Sequence, residues 1–214
     1  MIRIVIADDH TLMREGLKRI LESNEEITVV GEAVDGFGVL EQVRNREFDL
    51  LLLDLSMPGR SGIELIRQIR AESPKLPVLV LTMYEEEQYA IRAIRTGAQG
   101  YLTKENAGTQ LVTAIRRVAS GRPYISMEVA EQLALNMSTP KKEMPHQQLS
   151  NREFEIFNLL AKGKTITEIG TQLHLSVKTV STHKSRICQK MGMHSLAEIV
   201  QYAVAHHLLA PFEK

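Results

Sequence analysis

The stretch from Leu50 to Gly62, LLLLDLSMPGRSG, decides how the chain is read. Four leucines run without a polar break and stop at Asp54, and Pro58, Gly59 and Gly62 then punctuate the chain. So short an apolar run, bounded by turn formers, predicts a strand covered on both faces. That is the habit of parallel sheets flanked by helices. Working outward, further strand candidates lie at Ile2–Ala7, Thr28–Glu32, Val78–Thr82 and Gly100–Leu102. Helical patterns fall between them near 11–22, 36–46, 61–72 and 86–96, with a fifth near 107–120. Five βα units of this length predict an open, doubly wound α/β domain.

In an open parallel sheet, ligands bind beyond the carboxyl ends of the strands. Asp8 and Asp9 end the first predicted strand, Asp54 the third and Thr82 the fourth, and Lys104 follows the fifth. Two carboxylates about 4 Å apart repel by roughly 4 kcal/mol at an effective dielectric near 20, so a trio of them calls for a cation. Oxygen ligands suit a hard ion such as Mg²⁺. One carboxylate could then attack phosphorus to give an aspartyl-phosphate. The Lys104 ammonium would offset charge on the phosphoryl oxygens, and the Thr82 hydroxyl could hydrogen-bond one of them.

The rest of the chain has a different character. Gly121 and Pro123 close a first domain at residues 1–121. Residues 122–147 read as a linker that includes a short helix at Met127–Asn136, and STPKKEMPHQQ at 138–148 carries two prolines. Residues 148–214 form the second domain. Here the strand pattern stops and helices are expected near 151–161, 166–173, 177–190 and 196–208. Capping boxes announce three of them: Ser150 with Glu153, Thr165 with Glu168, and Ser195 with Glu198. Leu149 and Phe154 form a staple pair, and Gly163 and Gly192 are expected stops. Residues 1–137 hold 16 Lys+Arg against 20 Asp+Glu, whereas residues 138–214 hold 10 against 6. An acidic half joined to a basic half suits a phosphate or metal switch followed by a nucleic-acid binder.

The helices at 166–173 and 177–190, joined by His174-Leu175-Ser176, have the dimensions of a helix-turn-helix. Val177, Val180, Ile187 and Met191 form a stripe expected to face the core. Lys178, Ser181, Thr182 and Ser185 share another face, from which short polar side chains could reach the major groove. Lys184, Arg186 and Lys190 could neutralise phosphates along the flanks. A lone Cys188 forms no internal disulfide, which fits a reducing cytoplasm, and with scattered histidines a zinc site is not expected. No apolar run reaches the length of a membrane span.

The set Asp8-Asp9, Asp54 within DLSMPGRSG, Thr82 within VLTM and Lys104 within GYLTK resembles the signature of response-regulator receiver domains. The resemblance implies a sheet in the order 2-1-3-4-5 and phosphorylation of Asp54 by a sensor histidine kinase. It further implies Mg²⁺ held by Asp9, Asp54 and the backbone carbonyl of Ser56, with Asp8 assisting through water. Thr82 and Lys104 would bind the phosphoryl group, and Tyr101 would be the aromatic that reorients. The chain departs from many receivers in having Glu105, not proline, after the lysine. The segments LSNREFEIFNLLAKG and TEIGTQLHLSVKTVSTHKSRICQKMG resemble the LuxR-type DNA-binding domain, so the whole is similar to the NarL/FixJ class of response regulators. That likeness implies a cytoplasmic DNA-binding transcription regulator, not an enzyme, that pairs as a homodimer when phosphorylated and binds double-stranded DNA. It carries Lys178, Thr179, Ser181, Thr182, His183, Lys184, Ser185 and Arg186 over as DNA-contacting positions, and Leu196, Ile199, Val200 and Ala203 as the dimer contact. Two alternatives stay open: a Mg²⁺-dependent aspartyl-phosphate phosphatase, although Asp54-Leu55-Ser56 lacks the second acid of Asp-x-Asp, and a receiver-like module not regulated by phosphorylation.

Overall fold

Five strands, β1 (Ile2–Ala7), β2 (Ile27–Ala33), β3 (Leu50–Leu53), β4 (Val78–Thr82) and β5 (Gly100–Thr103), form one parallel sheet in the order β2-β1-β3-β4-β5. Five helices alternate with them: α1 (Thr11–Glu22), α2 (Gly36–Asn45), α3 (Gly62–Glu72), α4 (Glu87–Thr96) and α5 (Ala107–Ala119). This computed structural model describes residues 1–45, 47–57, 62–83, 87–137, 144–173, 175–206 and 208. Residues 58–61 of the opening stretch, 138–143 of the expected linker and His174 of the expected turn lie outside the described residues.

Strand position explains strand composition. β3 and β4 lie inside the sheet, and every residue of Leu50–Leu53 and Val78–Thr82 is buried. β2 lies at an edge and buries only its end residues Ile27 and Ala33, with Val30 and Glu32 exposed, as the less covered strand of the sheet. Ile4, Ile6, Leu50, Leu52, Leu79 and Leu81 share one core cluster with Leu17 and Leu21 of α1 and with Leu111 and Ile115 of α5. Burying each such side chain is worth roughly 1.5–3 kcal/mol.

The chain divides into two compact units, Met1–Ser138 and Thr139–Lys214. This corrects the expected boundary at residue 121. The Tyr124 N–H donates to the Gln99 carbonyl at 3.0 Å, and the Tyr101 N–H donates to the Tyr124 carbonyl at 2.8 Å, so Tyr124 forms a parallel bridge on the outer edge of β5. The Tyr124 hydroxyl donates to Gln110 Oε1 at 2.7 Å. The helix that follows, α6 (Met127–Met137), packs on α4 and buries Val129. Tyr124 therefore pairs part of an otherwise open sheet edge, whose free N–H and C=O groups would invite other strands.

In the second unit a 3₁₀ turn (Pro145–Gln148) precedes α7 (Asn151–Ala161), α8 (Ile166–Gln172), α9 (Val177–Met191) and α10 (Leu196–Ala205). Both expected boxes at Ser150/Glu153 and Thr165/Glu168 form. The third differs: Glu198 accepts the N–H of His194 at 2.9 Å rather than that of Ser195, while Ser195 still caps Glu198. Ser176 caps α9, and Gly192, at φ 65°, ends it in the left-handed conformation that glycine adopts without strain. The core gathers Phe154, Phe157, Ile169, Val180, Ile187 and Ile199. The 3₁₀ turn is tied to α10 through His146 Nδ1, 2.8 Å from the Tyr202 hydroxyl.

Candidate functional site

Sheet register assembles the acidic rim. Ala7 pairs with Leu53, so Asp8 and Asp54 follow at neighbouring strand ends, and the Asp54 N–H donates to the Ala7 carbonyl at 2.8 Å. Thr82 pairs with Thr103, and the Lys104 N–H donates to the Thr82 carbonyl at 2.8 Å, which brings the lysine stem over the same rim. Donor atoms of Asp8, Asp9, His10 and Asp54 all lie within 4.8 Å of one another. Lys104 Nζ hydrogen-bonds Asp54 Oδ2 at 2.7 Å and lies 2.7 Å from Asp8 Oδ2. The Ser56 N–H donates to Asp54 Oδ1 at 3.1 Å, so the chain after β3 wraps the same carboxylate. Thr82 is fully buried at the end of β4, and Tyr101, in β5, is nearly so.

The charges are unevenly met. Burial pushes the Asp54 carboxyl above the usual carboxylate range, and the Lys104 hydrogen bond and charge offset this only in part. Burial also pulls the Lys104 ammonium down, but the hydrogen bonds and charges of Asp54 and Asp8 outweigh it and leave lysine above its ordinary value. Lys104 has two anionic partners, whereas Asp54, buried first of all, shares that one ammonium with Asp8. Asp9 Oδ1 is closed off from solvent and, among the described residues, has no hydrogen-bond partner, although His10 Nδ1 is 3.0 Å away. Three carboxylates against one ammonium leave a deficit of two positive charges. An oxygen-rich donor set with that deficit fits a hard divalent cation.

The second unit presents α9. Gly170 of α8 permits the turn that sets α9 in place, because a Cβ there would lie 2.9 Å from the Leu175 carbonyl oxygen. Lys178, Thr182, Ser185 and Arg186 are exposed, and Thr179, Ser181 and Lys184 are half-exposed. The Thr179 hydroxyl is engaged at the helix cap, 2.7 Å from Ser176 Oγ, and Thr182 and Ser185 donate back to the Lys178 and Ser181 carbonyls. His183 is half-buried, close enough to feel the charges of Glu153 and Arg152 on α7, and burial holds its imidazole below the ordinary histidine range. Val177, the first residue of α9, departs from expectation: it is exposed, while Val180, Ile187 and Met191 do face the core. Lys190 also departs. Its Nζ lies 2.6 Å from Glu153 Oε2, which makes it an internal tie between α9 and α7. The apolar stripe of α10 splits: Ile199 and Ala203 are fully buried within their own unit, Val200 is half-exposed, and Leu196 and Val204 are exposed.

Comparison with known proteins settles the family. The response regulator receiver domain matches residues 4–116, and the bacterial regulatory protein domain of the LuxR family matches residues 147–203. The chain is 39% identical over 209 residues to the response regulator UvrY of Escherichia coli K12, covering 97% of this chain and 96% of that one. This chain is a response regulator of the NarL/FixJ family. It is also 40% identical to the oxygen regulatory protein NreC of Staphylococcus aureus, over 97% of this chain and 99% of that one. Among solved structures, RcsB of Salmonella typhimurium matches with a TM-score of 0.61 at 29% identity, over 95% of this chain and 100% of that one. An RcsB–DNA complex matches at 0.58, over 95% of this chain and 98% of that one, again at 29% identity. The response regulator thus joins a receiver to a LuxR-type DNA-binding domain. No helix among the described residues is long and apolar enough to cross a membrane.

Sequence reasoning placed every carboxylate of the rim but passed over His10 and Arg14. The signal for His10 was simple adjacency to Asp8-Asp9. For Arg14 it was an arginine on the first turn after an acidic pair, which periodicity alone would leave on the surface.

Proposed function

We propose that Asp54 accepts a phosphoryl group from a sensor histidine kinase in the cytoplasm and that this modification controls pairing of the chain and its binding to double-stranded DNA. The observation that carries the reading is the buried Asp54 carboxylate hydrogen-bonded to Lys104 beside Asp8, at a rim open to a donor through Asp9 and His10. In the transfer, an Asp54 carboxylate oxygen forms the new P–O bond as the P–N bond of the donor phosphohistidine breaks, and the electron pair leaves with the imidazole nitrogen. Asp9, Asp54 and the Ser56 backbone carbonyl would hold Mg²⁺, with Asp8 assisting through water, and such an ion supplies positive charge against the phosphoryl oxygens. Lys104, already within hydrogen-bond reach of Asp54 Oδ2, moves its ammonium onto a phosphoryl oxygen, and the Thr82 hydroxyl binds a second.

Phosphorylation adds roughly −1.5 to −2 charge at the rim. The shift of Thr82 is passed to β5 through the Thr82–Lys104 backbone bond and so to Tyr101, the switch aromatic. Pairing of two chains then raises DNA affinity through effective concentration. Leu196, Val200 and Val204 are the accessible apolar side of α10 for that pairing; Ile199 and Ala203 serve the core of their own unit. Lys178, Thr182, Ser185 and Arg186 are the exposed side chains of α9 for base and phosphate contact, with Thr179, Ser181 and Lys184 at its margins and His183 as a support packed toward α7. Incubation with acetyl phosphate and Mg²⁺ should label wild type, fail to label Asp54→Asn, and tighten promoter binding by wild type alone. Labelling that survives Asp54→Asn, turnover of free phosphate monoesters, or DNA affinity indifferent to labelling overturns the proposal.

A further inference from the structure

We infer that Arg14 is a positioning residue of the acidic rim, clamping the peptide that joins Asp8 to Asp9 and so aiming the Asp9 carboxylate at the cation. The inference rests on the Mg²⁺ reading above and adds to it a residue outside the acidic set.

Arg14 lies on the first turn of α1 and is 9% exposed, an unusual burial for a charged side chain. A buried guanidinium is tolerated only where its donors are met, and here each nitrogen has a task. Nη1 donates to the Asp8 carbonyl oxygen at 2.8 Å, Nε to Glu32 Oε2 at 2.7 Å, and Nη2 lies 3.4 Å from Thr11 Oγ1. Glu32 is itself shared with Lys18, 2.8 Å away, and these two cations hold its carboxyl below the usual range. The guanidinium thus links the end of β1 to β2 from the underside of the rim.

The consequence falls on Asp9. Asp8 is hydrogen-bonded on three sides: its N–H donates to the Ala33 carbonyl at 3.1 Å, its Oδ1 accepts the His10 N–H at 2.8 Å, and its carbonyl is taken by Arg14, while its Oδ2 lies 2.7 Å from the Lys104 ammonium. The Asp9 carboxylate is held less: its Oδ1 has no hydrogen-bond partner among the described residues, and the contact beside it is the exposed His10 ring, whose Nδ1 is 3.0 Å away. Its direction is therefore set by the backbone, and the Asp8–Asp9 peptide plane is held by the Asp8 carbonyl. Arg14 is the group that holds that carbonyl. Lysine could keep the charge, but a single ammonium lacks the fork that spans a carbonyl and a carboxylate together.

A purely structural role, stapling α1 to β2 through Glu32, makes a different prediction, and Glu32→Gln isolates it. Mg²⁺ affinity is measured by isothermal titration on the full chain, with the thermal midpoint recorded for each variant. Outer partners of metal ligands are typically worth 10–100-fold in affinity, so Arg14→Met should bind Mg²⁺ about tenfold more weakly. Glu32→Gln should lower the midpoint yet keep Mg²⁺ affinity within about twofold of wild type, because the Asp8 contact survives. Phosphorylation by acetyl phosphate should need more Mg²⁺ in Arg14→Met but reach the wild-type rate at saturation. Mg²⁺ affinity of Arg14→Met within about twofold of wild type overturns the inference, as does an equal loss in Glu32→Gln. Should Arg14→Met fail to fold, Arg14→Lys carries the test: a loss of at least about threefold supports the clamp, and wild-type affinity overturns it. A wild-type chain that binds no Mg²⁺ defeats the metal reading itself, and this inference with it.

Discussion

Replacing Lys104 by Met removes the ammonium that lies between two buried carboxylates while keeping most of the side-chain volume. The Asp8 and Asp54 side chains are 2% and 1% exposed, and their donor atoms lie within 4.8 Å of each other. At that separation two unit charges repel by about 3 kcal/mol at an effective dielectric near 20. Breaking a buried pair by deleting one partner typically costs about 3–5 kcal/mol, which agrees. In EDTA at pH 7, urea unfolding of the receiver should therefore show Lys104→Met less stable than wild type by about 3 kcal/mol. Two treatments should narrow that gap. Mg²⁺ stabilises the folded site by mass action and replaces the lost positive charge. Acid does the same by protonation: a carboxyl whose folded pKa lies above its unfolded value destabilises the fold as pH rises through that window, and the penalty vanishes below it. Equal stability of mutant and wild type in EDTA, or a gap that widens as pH falls from 7 to 5, would mean that Lys104 does not balance the two carboxylates.

Other consequences can be measured separately. Burial raises the Asp54 carboxyl even in wild type, so metal-free stability should fall as pH rises through its titration. Asp54→Asn should flatten that slope and unfold at equal or higher urea at pH 7, with a gain on the order of 1 kcal/mol; a clear loss of stability contradicts the charge argument. Gly170→Ala places a Cβ 2.9 Å from the Leu175 carbonyl oxygen, which should destabilise the second unit by about 1–3 kcal/mol and weaken DNA binding, read by calorimetry and fluorescence anisotropy. Arg186→Ala should weaken binding across DNA sequences alike and lower the slope of log K against log salt by about 1; an unchanged slope places Arg186 off the phosphates.

Leu50–Leu53 revealed its strand because an inner strand must be apolar on both faces, and the rim was legible because strand ends in a parallel sheet converge whatever their separation in sequence. The order of the carboxylates, Thr82 and Lys104 was therefore readable before any coordinate. Residues 122–137 were misread as linker because their tie to the first unit is made by backbone atoms at Tyr124, which leave no pattern in side-chain hydropathy. Ile199 and Ala203 were assigned to a dimer contact because a stripe shows that a helix face is apolar without showing which surface covers it; here their own unit does. Lys190 looked like a phosphate contact until Glu153, 37 positions earlier, took its charge. Arg14 stayed invisible for a related reason: its partners are a backbone carbonyl and a carboxylate on a neighbouring strand.

The gathering of Asp9, Asp54, Thr82 and Lys104 around one phosphoryl position is the premise of everything proposed. A crystal structure of the full chain grown with Mg²⁺ and beryllofluoride tests it most directly. Beryllofluoride should sit on Asp54, with one metal shared by Asp9, Asp54 and the Ser56 carbonyl and contacts from Lys104 and Thr82 to the fluorines. Beryllofluoride elsewhere, or Asp9 and Asp54 turned to separate ions, would contradict it.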